Sequence, residues 1–289
     1  MSDESSEWTL VAEISNDFDL GFLLSELNAR NLSYRLHRTE ACVELWVEFS
    51  DDVPRVMETL EQIQYRQKQQ SRSAYLHTQS FQEQLYNMPV VVALLLLSFL
   101  GTALVMWWGG LVHWFSFQDF IEVGGVRQFD TVSNAIEKGE YWRFITPIFL
   151  HFDRFHIIFN GLFLWVFGQK IEHSFGSFHI LVTVLLIALA SNLGQYLWGG
   201  AVLFGGMSGV VYGLFGYLWF RQKIAPKPEL ALPSGLLVMM LFILALGMSG
   251  IVELMTSKGI ANAAHAVGLV TGMILGGWAG YSETKAPAP

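Results

Sequence analysis

From His173 to Phe220 the chain runs for 48 residues without one Asp, Glu, Lys or Arg. A stretch of about 18 uncharged apolar residues already suggests a membrane span, so this run excludes a soluble enzyme. Charge elsewhere is unevenly placed. Residues 1–87 hold 15 acidic and 7 basic side chains, which accounts for the net charge of −8, while the remaining 202 residues hold 10 of each sign. An acidic soluble piece therefore precedes a neutral apolar one. No basic patch argues for a nucleic-acid partner. The single cysteine, Cys42, cannot build a disulfide framework or a Cys-rich metal site; it reads as a half-buried strand residue, and neither metal nor cofactor is expected. The opening MSDESSEW is acidic and polar, unlike a signal or transit peptide, so the internal spans are expected to direct insertion.

In the soluble piece, Trp8, Leu10, Ala12 and Ile14 alternate as in a strand. Leu20, Leu23, Leu24 and Leu27 share a helical face behind Asn16 or Asp17 as cap. Leu32, Tyr34 and Leu36, then Val43, Leu45, Val47 and Phe49, predict two more strands; Val53, Val56, Met57, Leu60 and Ile63 form a second helical stripe after Asp51 and Asp52. The order βαββα predicts a small α+β domain over 1–67, followed by a Gln-rich linker over 68–87.

Six apolar runs in the second piece are long enough for about 30 Å of hydrocarbon: 88–108, 154–172, 177–198, 208–222, 233–250 and 260–281. They define an α-helical polytopic domain over 88–282, with a short tail over 283–289. Segment 109–143 carries Trp114, Phe115, Phe117, Phe120 and Trp142 and is expected to be a structured loop at the lipid interface. One side of this arrangement collects Arg66, Lys68, Arg72, Lys170, Arg221, Lys223, Lys227 and Lys285, the other Arg127, Lys138, Arg143, Arg154 and Lys258. Basic residues favour the cytoplasmic side, which predicts both termini inside.

Polar groups in hydrocarbon are costly, so each is a functional candidate. His156 and Asn160 stand at i and i+4 on one face of the second span, Ser208 opens the fourth among Gly205, Gly206 and Gly209, and His265 lies in the sixth. Helical rise places Ser208, His265 and Asn160 all roughly 10 Å below the outer surface. Taken singly, such a serine serves as packing filler and such a histidine or asparagine as polar glue; their shared depth argues for a common site. The uncharged loop WGGAVLFGG must dip to the level of the serine, and non-helical backbone survives there only inside protein or along an aqueous cavity. A serine at a helix amino terminus has free N–H groups near it, as an oxyanion hole requires. His265 would act as general base to Ser208. Glu172, about 12 residues from Asn160 toward the inner face, is too distant to orient His265, so a Ser–His dyad is expected, its imidazole packed against Tyr212. Gly268, Gly272, Gly276 and Gly280 form a stripe that allows close helix approach. A transporter or channel with a re-entrant glycine-rich loop is the competing reading.

With Trp142–Arg143, His156-x-x-x-Asn160, Gly206-x-Ser208-Gly209 and Ala264-His265-x-x-Gly268-x-x-x-Gly272 in this order, the chain resembles the rhomboid family of intramembrane serine proteases, in its bacterial GlpG type. The resemblance implies a six-span bundle in the bacterial inner membrane, with its site open to the outer side. It also implies cleavage of membrane-protein substrates within or near a membrane helix. On that likeness Ser208 is the nucleophile and His265 the base. The Ser208 backbone, His156 and Asn160 stabilise the oxyanion, Tyr212 stacks on the histidine, Gly206 shapes the loop, and residues 247–258 cap the site. Residues 1–67 resemble the family's cytoplasmic domain in element order, a candidate module for homo-oligomer formation.

Overall fold

The computed structural model describes residues 8–15, 18, 20–39, 42–64, 81–251 and 261–285. The expected cap at Asn16 or Asp17, linker residues 68–80 with Arg66 beside them, Lys258 with the rest of 252–260, and tail residues 286–289 lie outside these. The chain divides into two compact units, Met1–Gln79 and Ser80–Pro289.

In the first unit, β1 (Thr9–Ser15), β2 (Tyr34–Arg38) and β3 (Cys42–Val47) form an antiparallel sheet of order β1-β3-β2, with Ile14 opposite Val43 and Tyr34 opposite Val47. Helices α1 (Leu20–Ala29) and α2 (53–64) bury Leu23, Leu27, Val56, Leu60 and Ile63 with Ile14, Leu45 and Val47. The expected element order stands. Leu32, expected to open the second strand, instead lies in the turn before it and still joins the core.

The second unit is helical. A short α3 (Phe81–Tyr86) precedes α4 (Pro89–Trp107); after an irregular segment follow α7 (Arg154–Phe175), α8 (Ser177–Gly199), α9 (Ser208–Ile224), α10 (Ser234–Met248) and α11 (Asn262–Lys285). Within the irregular segment stand α5 (Val112–Phe115), the hairpin β4 (Phe120–Val123) with β5 (Val126–Phe129), and α6 (Val132–Glu137). Four stretches among the described residues are long and apolar enough to cross a bilayer: Pro89–Trp107, Ser177–Gly199, Pro228–Met248 and Asn262–Lys285. The other two expected spans are present as helices of a different character. Helix α7 carries Arg154, Lys170 and Glu172, and α9 has only 17 residues and ends in Arg221 and Lys223. Helix α9 nevertheless buries every residue from Gly209 to Leu218, because it packs against α7, α8 and α11 at the centre of the bundle.

Several local devices fix these helices. Asp153 caps α7 by accepting from the backbone N–H of Phe155 at 2.9 Å. Gly176 turns the chain between α7 and α8 at φ +85°, a conformation open to glycine. Glu172, buried in α7, accepts from Val90 N at 3.0 Å, Val91 N at 2.9 Å and Ser177 Oγ at 2.7 Å. It thereby supplies the acceptor that the first turn of α4 lacks. Fully buried Arg143 organises the segment before α7, donating to Glu140 at 2.6 Å and to the His113 carbonyl at 2.5 Å. Trp114, Phe115 and Trp142 are exposed, as an interfacial loop requires, but Phe117 is buried against Phe144, Tyr196 and Phe204.

Candidate active site

The loop between α8 and α9 delivers Ser208. Gly200 leaves α8 at φ +70°; the loop is exposed as far as Val202 and then turns inside the protein, with Phe204 and Met207 buried. At Gly205 a Cβ would lie 2.7 Å from the Leu150 carbonyl oxygen and 2.9 Å from that of Pro147. Gly206 has φ +115°, donates its N–H to the Pro147 carbonyl at 3.0 Å, and leaves no room for a Cβ over the His156 imidazole. Backbone conformation and close approach therefore both demand glycine there. One residue on, Met207 N–H donates to His151 Nε2 at 3.3 Å, while His151 Nδ1 lies 3.1 Å from the Phe149 carbonyl. A carbonyl only accepts, so Nδ1 carries the proton and Nε2 is free to receive the amide. Ser208 is then the first residue of α9.

His265 arrives in the first turn of α11. Ala264 N–H donates to Gln195 Oε1 at 3.1 Å, and Asn262 Nδ2 donates to the Gly247 carbonyl at 2.8 Å, tying this turn to α8 and to α10. His265 Nε2 stands 2.7 Å from Ser208 Oγ. Among the described residues no carboxylate bonds to His265. Its ring instead packs on Tyr212, centroids 5.0 Å apart and planes at 35°, and the Tyr212 hydroxyl donates to the Met240 carbonyl at 3.3 Å.

The contact between α9 and α11 is made by glycine on both sides. A Cβ at Gly268 would fall on the Gly209 carbonyl, one at Gly272 on the Gly213 carbonyl, and one at Gly276 on the Tyr217 carbonyl. From α9, a Cβ at Gly213 would lie 3.0 Å from the Gly268 carbonyl oxygen and one at Gly216 2.5 Å from that of Leu269. Backbones this close carry His265 up to the serine.

His156 and Asn160 project from α7. The His156 ring lies beneath Gly206 and edge-on to His151, centroids 5.1 Å apart. Asn160 is only 6% exposed, and its side-chain nitrogen has no hydrogen-bond partner among the described residues. A buried amide donor left open costs about 1–3 kcal/mol, a cost that a developing negative charge would remove. The structure thus brings Ser208, His265 and Tyr212 together, sets His156 against the Gly206 turn, and leaves Asn160 with an open donor. His151 and Gln195, which hold the two backbone segments in place, carry no periodic or spacing signal in the sequence; the place of Gln195 within the uncharged run is its only cue, and His151, beside Asp153 and Arg154, has none.

A helical membrane domain with a serine oxygen poised on an imidazole defines a class of membrane-embedded hydrolase folds, and comparison with known proteins gives the family. The Rhomboid domain model matches residues 138–282. The chain is 30% identical over 284 residues to the Rhomboid protease GlpG of Serratia proteamaculans (strain 568), covering 93% of this chain and 95% of that protein. It is 39% identical over 145 residues to the Rhomboid protease GlpG of Yersinia pestis (strain Pestoides F) and to that of Yersinia pseudotuberculosis serotype O:3 (strain YPIII). In those two the match spans 50% of each relative's length. The chain belongs to the rhomboid family.

Proposed function

We propose that the protein is an intramembrane serine endopeptidase that cuts membrane-protein substrates within or near a membrane helix. The observation that carries this reading is the 2.7 Å contact between Ser208 Oγ and His265 Nε2. In the proposed reaction Ser208 Oγ attacks the scissile carbonyl carbon while His265 Nε2 takes the hydroxyl proton. The oxyanion of the tetrahedral intermediate is held by the Ser208 backbone N–H at the positive end of α9 and by the side chains of His156 and Asn160. Collapse expels the amine, which receives the proton from His265 and leaves an acyl ester on Ser208. Water then attacks the ester carbon as His265 takes its proton; the bond to Ser208 Oγ breaks, the carboxyl product leaves, and the proton returns from His265 to Ser208 Oγ. Tyr212 holds the imidazole by packing, Gly206 shapes the loop, and Gly268 and Gly272 set the distance between the two helices.

The proposed topology has six spans over 88–282, with α7 and α9 completing the set. Both termini lie in the cytoplasm of a bacterial inner membrane, and the site faces the outer side through a water-filled cavity. The basic residues Arg221, Lys223, Lys227 and Lys285 at one end of the bundle support that orientation. A substrate helix must unwind locally, since its carbonyls are otherwise tied in i to i−4 bonds, so helix-weakening residues near the cut are expected. Residues 1–67 form a tethered cytoplasmic module, joined by a linker over 68–87, through which copies of the chain associate. Deleting it should change the oligomeric state. Labelling of the purified protein by a fluorophosphonate, lost in Ser208→Ala and in His265→Ala together with cleavage of a transmembrane reporter, tests the mechanism. Unchanged cleavage by either variant would sink it.

A further inference from the structure

At the end of the bundle away from Ser208, an open apolar groove of about 450 Å³ runs between α9 and α11. It is lined by Phe220 of α9 and by Val270, Met273, Ile274, Gly277, Trp278 and Tyr281 of α11. Val270, Ile274 and Trp278 are exposed, the last at 72%. From Val270 to Tyr281 the groove spans 11 residues of helix, about 16 Å, which is close to one leaflet of a hydrocarbon core about 30 Å thick. One acyl chain of a bilayer lipid has that length.

The mouth of the groove is cationic. Lys223 Nζ lies 5.8 Å from the centroid of the Phe220 ring and 5.0 Å from that of Trp219, and Lys285 Nζ lies 5.0 Å from that of Tyr281. Phe220 and Tyr281 are both groove walls, so one ammonium stands at each side of its charged end. Their neighbours Arg221 and Lys227 are paired, sharing the one Glu283 carboxylate. Among the described residues Lys223 and Lys285 have no carboxylate partner. Two uncompensated cations above a leaflet-length apolar channel match a lipid with a negative headgroup, because each basic group near an anionic surface adds its own increment of attraction.

We propose that this groove and its two lysines form a binding site for one anionic glycerophospholipid, an acyl chain lying along α11 and the phosphate facing Lys223 and Lys285. The inference requires membrane embedding and is independent of the chemistry at Ser208. It is tested on the purified full chain in detergent micelles, titrated with phosphatidylglycerol or phosphatidylcholine of identical acyl chains, with bound lipid counted by native mass spectrometry. Phosphatidylglycerol should bind in preference. The exposed double substitution Lys223→Gln/Lys285→Gln should weaken its binding about 30-fold, to the level of phosphatidylcholine. Lys227→Gln, at a cation already paired, should leave the preference intact, and Trp278→Ala should weaken both lipids alike. Equal binding of the two lipids, or an effect of Lys227→Gln as large as that of the double substitution, would overturn the site. So would a dimer that dissociates in Trp278→Ala, which would assign the groove to a second copy of the chain.

Discussion

Replacing Gly268 by alanine tests whether helix contact sets the reactive geometry. The added Cβ would fall on the carbonyl of Gly209, the residue after Ser208, and backbone cannot rotate aside as a side chain can. Reaching ordinary van der Waals separation of 3.4–4 Å requires α11 to move away from α9 by about 1 Å or more. A shift of that size takes the 2.7 Å contact between His265 and Ser208 to about 3.7 Å, beyond hydrogen-bonding range. Misplacement of reacting groups by about 1 Å costs about a hundredfold in rate. The stability cost is smaller, since overpacking removes about 1–3 kcal/mol and the better helix propensity of alanine returns up to about 1 kcal/mol. Gly268→Ala should therefore fold and lose about a hundredfold in rate.

Gly280→Ala is the control. Its Cβ would meet Ile224 Cβ at 3.0 Å and Cγ2 at 3.1 Å, atoms of the last residue of α9 that can yield slightly, some 15 residues from His265. Its rate should stay within about twofold of the parent protein. Initial rates on a transmembrane reporter in proteoliposomes, read beside thermal midpoints in detergent, separate the two effects. The reasoning fails if Gly268→Ala cleaves at the parent rate, or if Gly280→Ala falls as far as Gly268→Ala.

Glu172→Ala removes the acceptor of two backbone N–H groups and one hydroxyl in a buried setting and should cost about 3 kcal/mol or more; Glu172→Gln should cost about half as much, both read as thermal midpoints. His151→Ala leaves the Met207 N–H without its acceptor and should lower kcat at least tenfold with KM nearly unchanged, whereas His151→Gln should recover part of the loss. At the exposed turn before α6, the Lys138 ammonium, helped by the Thr131 amide and the Asn134 side chain, holds the Asp130 carboxyl below its ordinary value of 3.8. A lowered carboxyl contributes order above that ordinary value and loses it as pH falls through the lower folded one. The protection factor of the Thr131 N–H, which donates to Asp130 Oδ1 at 2.8 Å, should therefore fall in acid, and Asp130→Asn should abolish that dependence.

The helices and the site residues were legible because both follow from energetic extremes. A dry solvent forces backbone into helices and makes each intramembrane polar group conspicuous, which is why Ser208, His265 and Asn160 could be singled out by depth and His156 by its i, i+4 spacing to Asn160. Contacts that join distant backbone to one side chain left no such mark. Glu172, considered only for its distance from His265, proved to cap α4 across 81 and 82 residues of sequence. Arg143, counted as a basic loop residue, is the buried hub of its segment. Phe117 fits an interfacial aromatic by composition, yet it faces inward because its ring packs against Tyr196 of α8 and Phe204 of the loop before α9.

The glycine contacts also bear on how two groups can suffice for the proposed chemistry. A triad carboxylate orients its histidine and stabilises the imidazolium that forms, but placing a carboxylate in a dry interior carries a desolvation cost of several kcal/mol. Here orientation comes from packing. Tyr212 covers the imidazole, Gln195 fixes the preceding N–H, and the backbones of α9 and α11 meet too closely to slide. Such a site trades electrostatic help for steric precision, so its rate should respond more sharply to added volume along α9 and α11 than to altered charge nearby. Gly268→Ala and Gly272→Ala should accordingly harm cleavage more than Asp153→Asn, whose carboxylate accepts from the first backbone N–H groups of α7. The reverse order would return the orienting role to charge.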